Sequence, residues 1–237
     1  MIRSAYARTL NAAGRLADRS GIAGRLERRP GRTAFYVRSL FAIHDVHAML
    51  RLDTPWWTFD AIGRVDQFLA ERGGDARIFE FGAGASTVWL AARAGDVHSV
   101  EHDADFATLI GPPARDAGAT LHVVPPVPSA DPPIGSGRRG ERGRDFSEYV
   151  ATIGRVGGQF DLIVIDGRAR VAALERAIPH LAVDGMVVFD DAHRRRYHRG
   201  LATSGLRIER TIGLAPGLPY PSCTALAWHG SPARDAF

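Results

Sequence analysis

Apolar positions along this chain follow two alternating rhythms. Residues 58–72 repeat them at three- and four-residue spacing, with Ile62, Val65, Phe68 and Leu69 on one face. Gly73-Gly74 follows, so the pattern predicts an amphipathic helix that stops there. Short apolar runs then occupy 77–82, 97–101, 119–124, 160–166 and 185–190, separated by helical patterns at 86–94, 103–110, 145–155 and 169–181. After a further helix at 192–203 the character changes. Residues 206–212 and 222–228 read as two strands joined by a Gly/Pro-rich turn, an antiparallel terminal pair. Repeating βα units argue for right-handed crossovers. The expected fold class is α/β, a doubly wound, mostly parallel seven-stranded sheet with an antiparallel last strand, preceded by N-terminal helices.

The expected division is a helical extension at 1–55 and a sheet domain at 56–237. In the extension, Ile2, Tyr6, Leu10, Ala13 and Leu16 recur at helical spacing with arginines between them, and Pro30-Gly31 ends the pattern. A second helical stretch covers 33–50. This basic, amphipathic segment suits packing on the core or against a second copy in a homodimer; peripheral contact with an anionic membrane is the alternative. Residues 125–144 are rich in Pro, Gly and Arg. A loop that long in a compact domain is a lid, a binding loop or a mobile segment.

Composition narrows the class. The 237 residues are enough for one large core plus an appendage. No run approaches the ~20 apolar residues that span a bilayer, and the first residues lack a signal-type apolar core. A single cysteine, Cys223, excludes an internal disulfide and suits a reducing compartment, so the expected location is cytoplasmic. The formal charge is +4, and all 30 basic residues are arginine. That exclusivity points to coding bias rather than to 30 selected phosphate contacts. Arginines nevertheless cluster at 1–32, at 138–144 and at 194–196. Each cluster is either a solvated surface or a grip on an anionic substrate or membrane.

The chemistry concentrates at 76–103. The apolar run ending in Phe81 leads into Gly82-Ala83-Gly84-Ala85-Ser86-Thr87, and the next strand closes on Glu101. Glycines at such a turn let backbone N–H groups approach a ligand, and an acid about 20 residues on suits a ribose diol. A dinucleotide fingerprint requires a third glycine, and Thr87 stands in that place. Glu80, two residues before the turn, would repel a pyrophosphate but suit an ammonium-bearing ligand.

Glu80-x-Gly82-x-Gly84 followed by Glu101 resembles the class I (Rossmann-like) S-adenosylmethionine-dependent methyltransferases, and FEFGAGAST with SVEHD is similar to a bacterial subgroup of them. The segments 160–167 and 181–191 are similar to that family's fourth and fifth strands. The resemblance covers 56–230 and implies S-adenosylmethionine as cofactor. It implies that Glu80 lies near the aminopropyl group, that Gly82 and Gly84 cradle the nucleoside and that Glu101 accepts the ribose hydroxyls. Ser86 and Thr87 either cap the helix or contact the methionine carboxylate.

Ligands of open α/β sheets bind beyond the carboxyl ends of the strands, which directs attention to Asp166, Asp190, Asp191 and His193. Asp166 is expected to accept a substrate proton or hold the cofactor ammonium, with Asp191 and His193 as catalytic partners. No metal is assigned. The alternative, drawn from catechol-type O-methyltransferases, is Mg²⁺ on Asp166, Asp190 and Asp191, with Asp191 in the place of an Asn. Arg168 and Arg170 are either a grip on a substrate carboxylate or phosphate, or surface pairs. Of Trp56 and Trp57, one is expected in the core. The expected activity is methyl transfer to a small or lipid-like molecule, at oxygen. The rivals are an RNA methyltransferase, disfavoured by sparse aromatic interleaving, and a non-catalytic nucleoside-binding protein of the same fold.

Overall fold

The structure, a computed structural model, describes residues 31–42 and 45–230; the helical pattern read at 1–30 lies outside them. Three helices lead in: α1 (Arg32–Ser39), α2 (Val46–Arg51) and α3 (Phe59–Ala70). Then come β1 (Arg77–Phe81), α4 (Ala85–Ala91), β2 (Asp96–Glu101), α5 (Ala104–Asp116) and β3 (Thr120–Val123). A two-residue ladder, β4 (Val127–Pro128) with β5 (Arg144–Asp145), precedes α6 (Ser147–Val156), β6 (Phe160–Ile165), α7 (Arg170–Ala177), β7 (Leu181–Phe189) and α8 (Arg195–Thr203). The chain closes with β8 (Leu206–Gly213) and β9 (Ser222–His229).

Seven strands form one sheet in the order β3-β2-β1-β6-β7-β9-β8. β9 alone runs antiparallel, inserted between β7 and β8. The order reverses between β1 and β6, and the crevice for a ligand opens at such a switch point. Successive side chains point to opposite faces, which divides the core into two layers. Phe79, Phe81, Phe160, Ile163, Ile165 and Phe189 pack beneath α6, α7 and α8. Ile78, Leu162, Val164, Val188 and Leu226 meet Val65, Leu69, Trp89 and Leu90 from the helices of the other face, and Trp57 from the bend before α3. Both faces are covered, which is why these strands read as continuous apolar runs.

Several boundaries differ from the periodicity. The stretch 33–50 is broken into α1 and α2 by a 3₁₀ turn at Leu40–Ala42, after which Asp45 caps α2 by accepting from the Ala48 N–H at 3.0 Å. α5 runs on through Pro112 and Pro113 to Asp116. The two missing N–H donors would have bonded the carbonyls of Thr108 and Leu109, both on the exposed face and accessible to solvent. β7 starts at Leu181 because Leu181 pairs with Phe160, ahead of a register shift that precedes Leu162 opposite Met186. α8 starts only at Arg195, so neither Asp190 nor Asp191 is its cap. Trp57 is fully buried and meets Trp89 edge to face at 6.0 Å, while Trp56 is half-buried.

No helix among the described residues is long and apolar enough to cross a membrane. Two positions separate core from surface. Phe160→Ala is expected to lower the free energy of unfolding by about 3–5 kcal/mol. Val183→Ala, on a β7 residue 87% exposed, should change it by less than about 0.5 kcal/mol. Urea titration of both variants checks the layer assignment.

Candidate active site

At the end of β1 the chain turns through Gly82, whose φ of 96° is the left-handed region that favours glycine. A Cβ built there would lie 2.5 Å from Gly167 Cα, so the ends of β1 and β6 are pressed backbone to backbone. Beneath this turn lies Glu80, with no exposed surface. It accepts hydrogen bonds from the Ser86, Thr87 and Ser99 hydroxyls, each at 2.5 Å. Thr87 Oγ1 also accepts from the Gly84 N–H at 2.9 Å. Glu80 therefore ties β1 to β2 and to the first turn of α4. Burial pushes its pKa up to about 7 against the opposing pull of the three hydroxyl donors. Glu80, expected near the aminopropyl group, points into the turn, and Ser86 and Thr87, both buried, donate their hydroxyls to it.

Glu101 ends β2 with 3% of its surface exposed. One carboxylate oxygen accepts from the Ala83 N–H at 3.1 Å, the other from the N–H groups of His102 and Asp103 at 2.9 and 2.8 Å. His102 Nδ1 also stands 2.6 Å from the second oxygen, so of the carboxylate's about four lone-pair directions the open one is on the oxygen that Ala83 holds. Nearby, the fully buried Tyr149 hydroxyl has no hydrogen-bond partner. It faces the Gly82–Gly167 contact, since a Cβ on Gly167 would lie 2.0 Å from it. Burial first, and then the Glu101 charge, hold its pKa well above the usual tyrosine range, so it remains a neutral donor. The segment 127–145, folded as the β4–β5 ladder, crosses this end of the sheet. Its Glu141 comes within 3.8 Å of both His102 Nε2 and Arg168 Nε.

Arg170 occupies the middle of the other strand ends. It donates to the Asp166 carboxylate and carbonyl at 2.7 Å each, to the Asp190 carbonyl at 2.5 Å and to the Gly167 carbonyl at 3.1 Å. Its guanidinium also lies 3.4 Å from Asp191, which Arg194 approaches to 2.6 Å. Burial works against its charge, yet the three aspartates keep its pKa raised. Asp166 is pushed up by burial and pulled back by Arg170. Asp190, bonded by the Thr224 hydroxyl at 2.8 Å, is driven well above the carboxylate range by burial and by Asp166. The Mg²⁺ alternative required these acids to converge on an ion. In the structure the Asp166 and Asp191 carboxylates face the Arg170 guanidinium while that of Asp190 accepts from Thr224, and no cluster of three metal-ligating side chains occurs among the described residues.

A cavity of about 960 Å³ opens beside this cluster, walled by Gly167, Arg170, Asp191, Val150, Tyr197 and the 133–138 segment. Asp191 and Arg170 reach it directly, and Asp166 reaches it through Arg170. Of the three residues expected to be catalytic, Asp166, Asp191 and His193, it is His193 that stands apart, exposed and outside the cavity lining. Tyr149 and Glu141 were not legible beforehand. Nor was Ser99, although a lone hydroxyl inside an apolar strand, in register with Glu80, is the signal that could have found it.

Residues 79–192 match a family model described as a methyltransferase domain. Among solved structures, the chain is similar to a methyltransferase-like protein from Silicibacter pomeroyi, with 21% identity, 71% of this chain and 88% of that one covered, and a TM-score of 0.43. It is also similar to an rRNA methylase from Streptococcus thermophilus (14% identity, 71% and 95% covered, TM-score 0.49). A third is the N-methyltransferase NodS from Bradyrhizobium japonicum (19%, 70% and 93%, 0.43). No curated protein matches.

The Glu80 pKa has a measurable consequence. Folded Glu80 keeps its proton up to about pH 7, whereas the unfolded chain loses it near 4.5. This group's contribution to stability is therefore greatest below pH 4.5 and falls by roughly 3 kcal/mol as pH rises to 7. Glu80→Gln stays neutral and should lack that slope in urea titrations across the window. A variant with the wild-type slope would mean that the buried carboxyl is ionised in the fold.

Proposed function

We propose that this chain is a class I (Rossmann-like) S-adenosylmethionine-dependent methyltransferase, as its match to a methyltransferase-domain model supports, and that it moves the methyl group to an oxygen of a small or lipid-like acceptor. The observation that carries the choice of acceptor is the cavity beside Gly167. Its volume of about 960 Å³ lies within the range of small-molecule sites, roughly 300–1,000 Å³, rather than that of an open nucleic-acid track.

The residues present fit the cofactor. Gly84 has an extended φ of −179° that any residue can adopt. A Cβ there would meet only Ser86 Oγ, at 3.8 Å, so nothing in the protein requires the glycine. Space for an approaching ligand does. In this reading Glu101 takes the ribose hydroxyls with its free lone pair, the 82–86 backbone faces the nucleoside, and Asp166 faces the ammonium. Glu80, Ser86 and Thr87 hold that backbone in place without touching the cofactor. When bound, S-adenosylmethionine supplies a methyl group already activated on a sulfonium, which leaves the protein to position and to manage charge. Asp191, in the cavity wall, accepts the proton of the acceptor hydroxyl. Arg170 stabilises the oxygen as it becomes negative, and the strap carrying Glu141 covers the mouth and keeps water out.

Calorimetry with S-adenosylmethionine, S-adenosylhomocysteine and NAD, with and without Mg²⁺, tests the reading. The two sulfur nucleosides are expected to bind without Mg²⁺; binding of NAD alone would overturn it. Glu101→Ala should weaken S-adenosylhomocysteine at least about tenfold, a loss of roughly 1.4 kcal/mol. Asp191→Asn should leave that affinity intact while transfer of labelled methyl into a small-molecule extract drops about a hundredfold. Equal loss of binding in both variants would assign Asp191 to the fold rather than to the reaction.

A further inference from the structure

The cavity wall is far from neutral. It carries six arginines (Arg138, Arg168, Arg170, Arg176, Arg194 and Arg196) against two acids, Glu175 and Asp191. That excess of four equals the formal charge of the entire chain, so the remaining arginines and acids balance in number. Coding bias would spread arginines without regard to partners; it does not explain an excess gathered around one concavity. Three of the six are committed. Arg170 pairs with Asp166 and Asp191, Arg194 with Asp191, and Arg168 approaches Glu141 only to 3.8 Å, its buried Nε lacking a hydrogen-bond acceptor. Arg138, Arg176 and Arg196 have no acid partner among the described residues. Glu175 is the one acid to set against them.

The geometry points to a phosphate-bearing acceptor, and we infer that this cavity is its anion pocket. The inference rests on the methyltransferase reading for its role, not for the binding itself. Guanidinium forks suit a phosphate group, which accepts from several of them at once. Arg196 is held ready by donating to the Tyr197 hydroxyl at 3.0 Å and lying over that ring at 4.8 Å from its centre. Its stem also packs against Gly137, so the 133–138 segment and α8 are joined at the cavity edge. On the opposite wall α7 starts from Ala169 with no side-chain cap and no acid in its first turn, adding the positive end of a helix dipole. Tyr220, 51% exposed, supplies an aromatic surface at the rim for the organic part of the ligand. Asp191 in the same wall sets the distance between the anchored phosphate and the hydroxyl to be methylated. Two sources share this chemistry, a soluble phosphate ester and a phospholipid headgroup.

The test titrates inorganic pyrophosphate into the full chain by calorimetry and, in parallel, floats the protein with vesicles of equimolar phosphatidic acid and phosphatidylcholine. Both are repeated on R176Q/R196Q, on R138Q and on R199Q, an exposed arginine of the same helix that does not line the cavity. Pyrophosphate binding that weakens about tenfold or more in R176Q/R196Q and is unchanged in R199Q supports a soluble ester. Vesicle capture with the same dependence, and no pyrophosphate binding, supports a headgroup. Weakening in R138Q identifies the 133–138 segment as part of the pocket even if the double variant fails to fold. Absence of binding in both arms, or equal weakening in R199Q, overturns the proposal. S-adenosylhomocysteine is titrated into every variant: its failure to bind the wild type would remove the methyltransferase reading while leaving the anion pocket standing, and normal binding with no anion binding would do the reverse.

Discussion

A carboxylic acid with no water around it organises this molecule. Glu80 lies under the turn at the centre of the sheet, and among the described residues three hydroxyls from β2 and α4 compensate its burial. A buried acid left without such donors costs several kcal/mol, so the turn, the second strand and the first helix are held in one arrangement. The consequences propagate outward. Once α4 is pinned by Ser86 and Thr87, the chain between β1 and α4 has only Gly82, Ala83 and Gly84 with which to reverse direction. Gly82 must then adopt a positive φ, and the absence of a side chain there lets β6 close up through Gly167. Ala83 is presented to Glu101, which is how the end of β2 acquires a fixed orientation.

Much of this was legible in the sequence, for a simple reason. Strands covered on both faces must be apolar throughout, so they stand out as short runs, and the interval between glycine turn and acid is a feature of covalent order. The antiparallel ending was legible because its two strands are separated by a turn too short for a crossover helix. Where legibility failed, competing interactions decided. α5 runs past the expected end at 110, through Pro112 and Pro113, because the orphaned carbonyls lie on its exposed face. The start of β7 depends on pairing with Phe160, a contact remote in sequence. Glu80 was visible as an acid near a ligand turn but not as one facing inward. Orientation depends on Ser99, which enters from the neighbouring strand by register alone. Asp166 and Asp191 were found, but Arg170 between them was read as a substrate grip or surface pair, since nothing in the spacing shows that its side chain folds back over the strand ends. His193, two residues from Asp191, was carried along by proximity in sequence, and the turn preceding α8 directs it to solvent.

Arg170 changes what the mouth of the sheet can do. Two acids at neighbouring strand ends, with a third buried between them, would ordinarily repel one another or recruit a cation from solution. Here the cation is covalently part of the chain. A guanidinium bonded by carbonyls of Gly167, Asp166 and Asp190 cannot be titrated away or exchanged, and its position is set by backbone rather than by side-chain rotamers alone. For a reaction in which an acceptor oxygen gains negative character before it attacks a methyl group, a fixed positive charge lowers the barrier without the reorganisation that solvent would need. The same charge is also the inner end of an arginine-rich wall that extends outward to Arg176 and Arg196. In the proposed reaction one field would act at two distances, drawing an anionic molecule in and steadying the charge that forms at its reacting atom. The acids divide accordingly. Asp166 holds Arg170, Asp190 is bonded by Thr224 behind it, and of the three Asp191 alone lines the cavity.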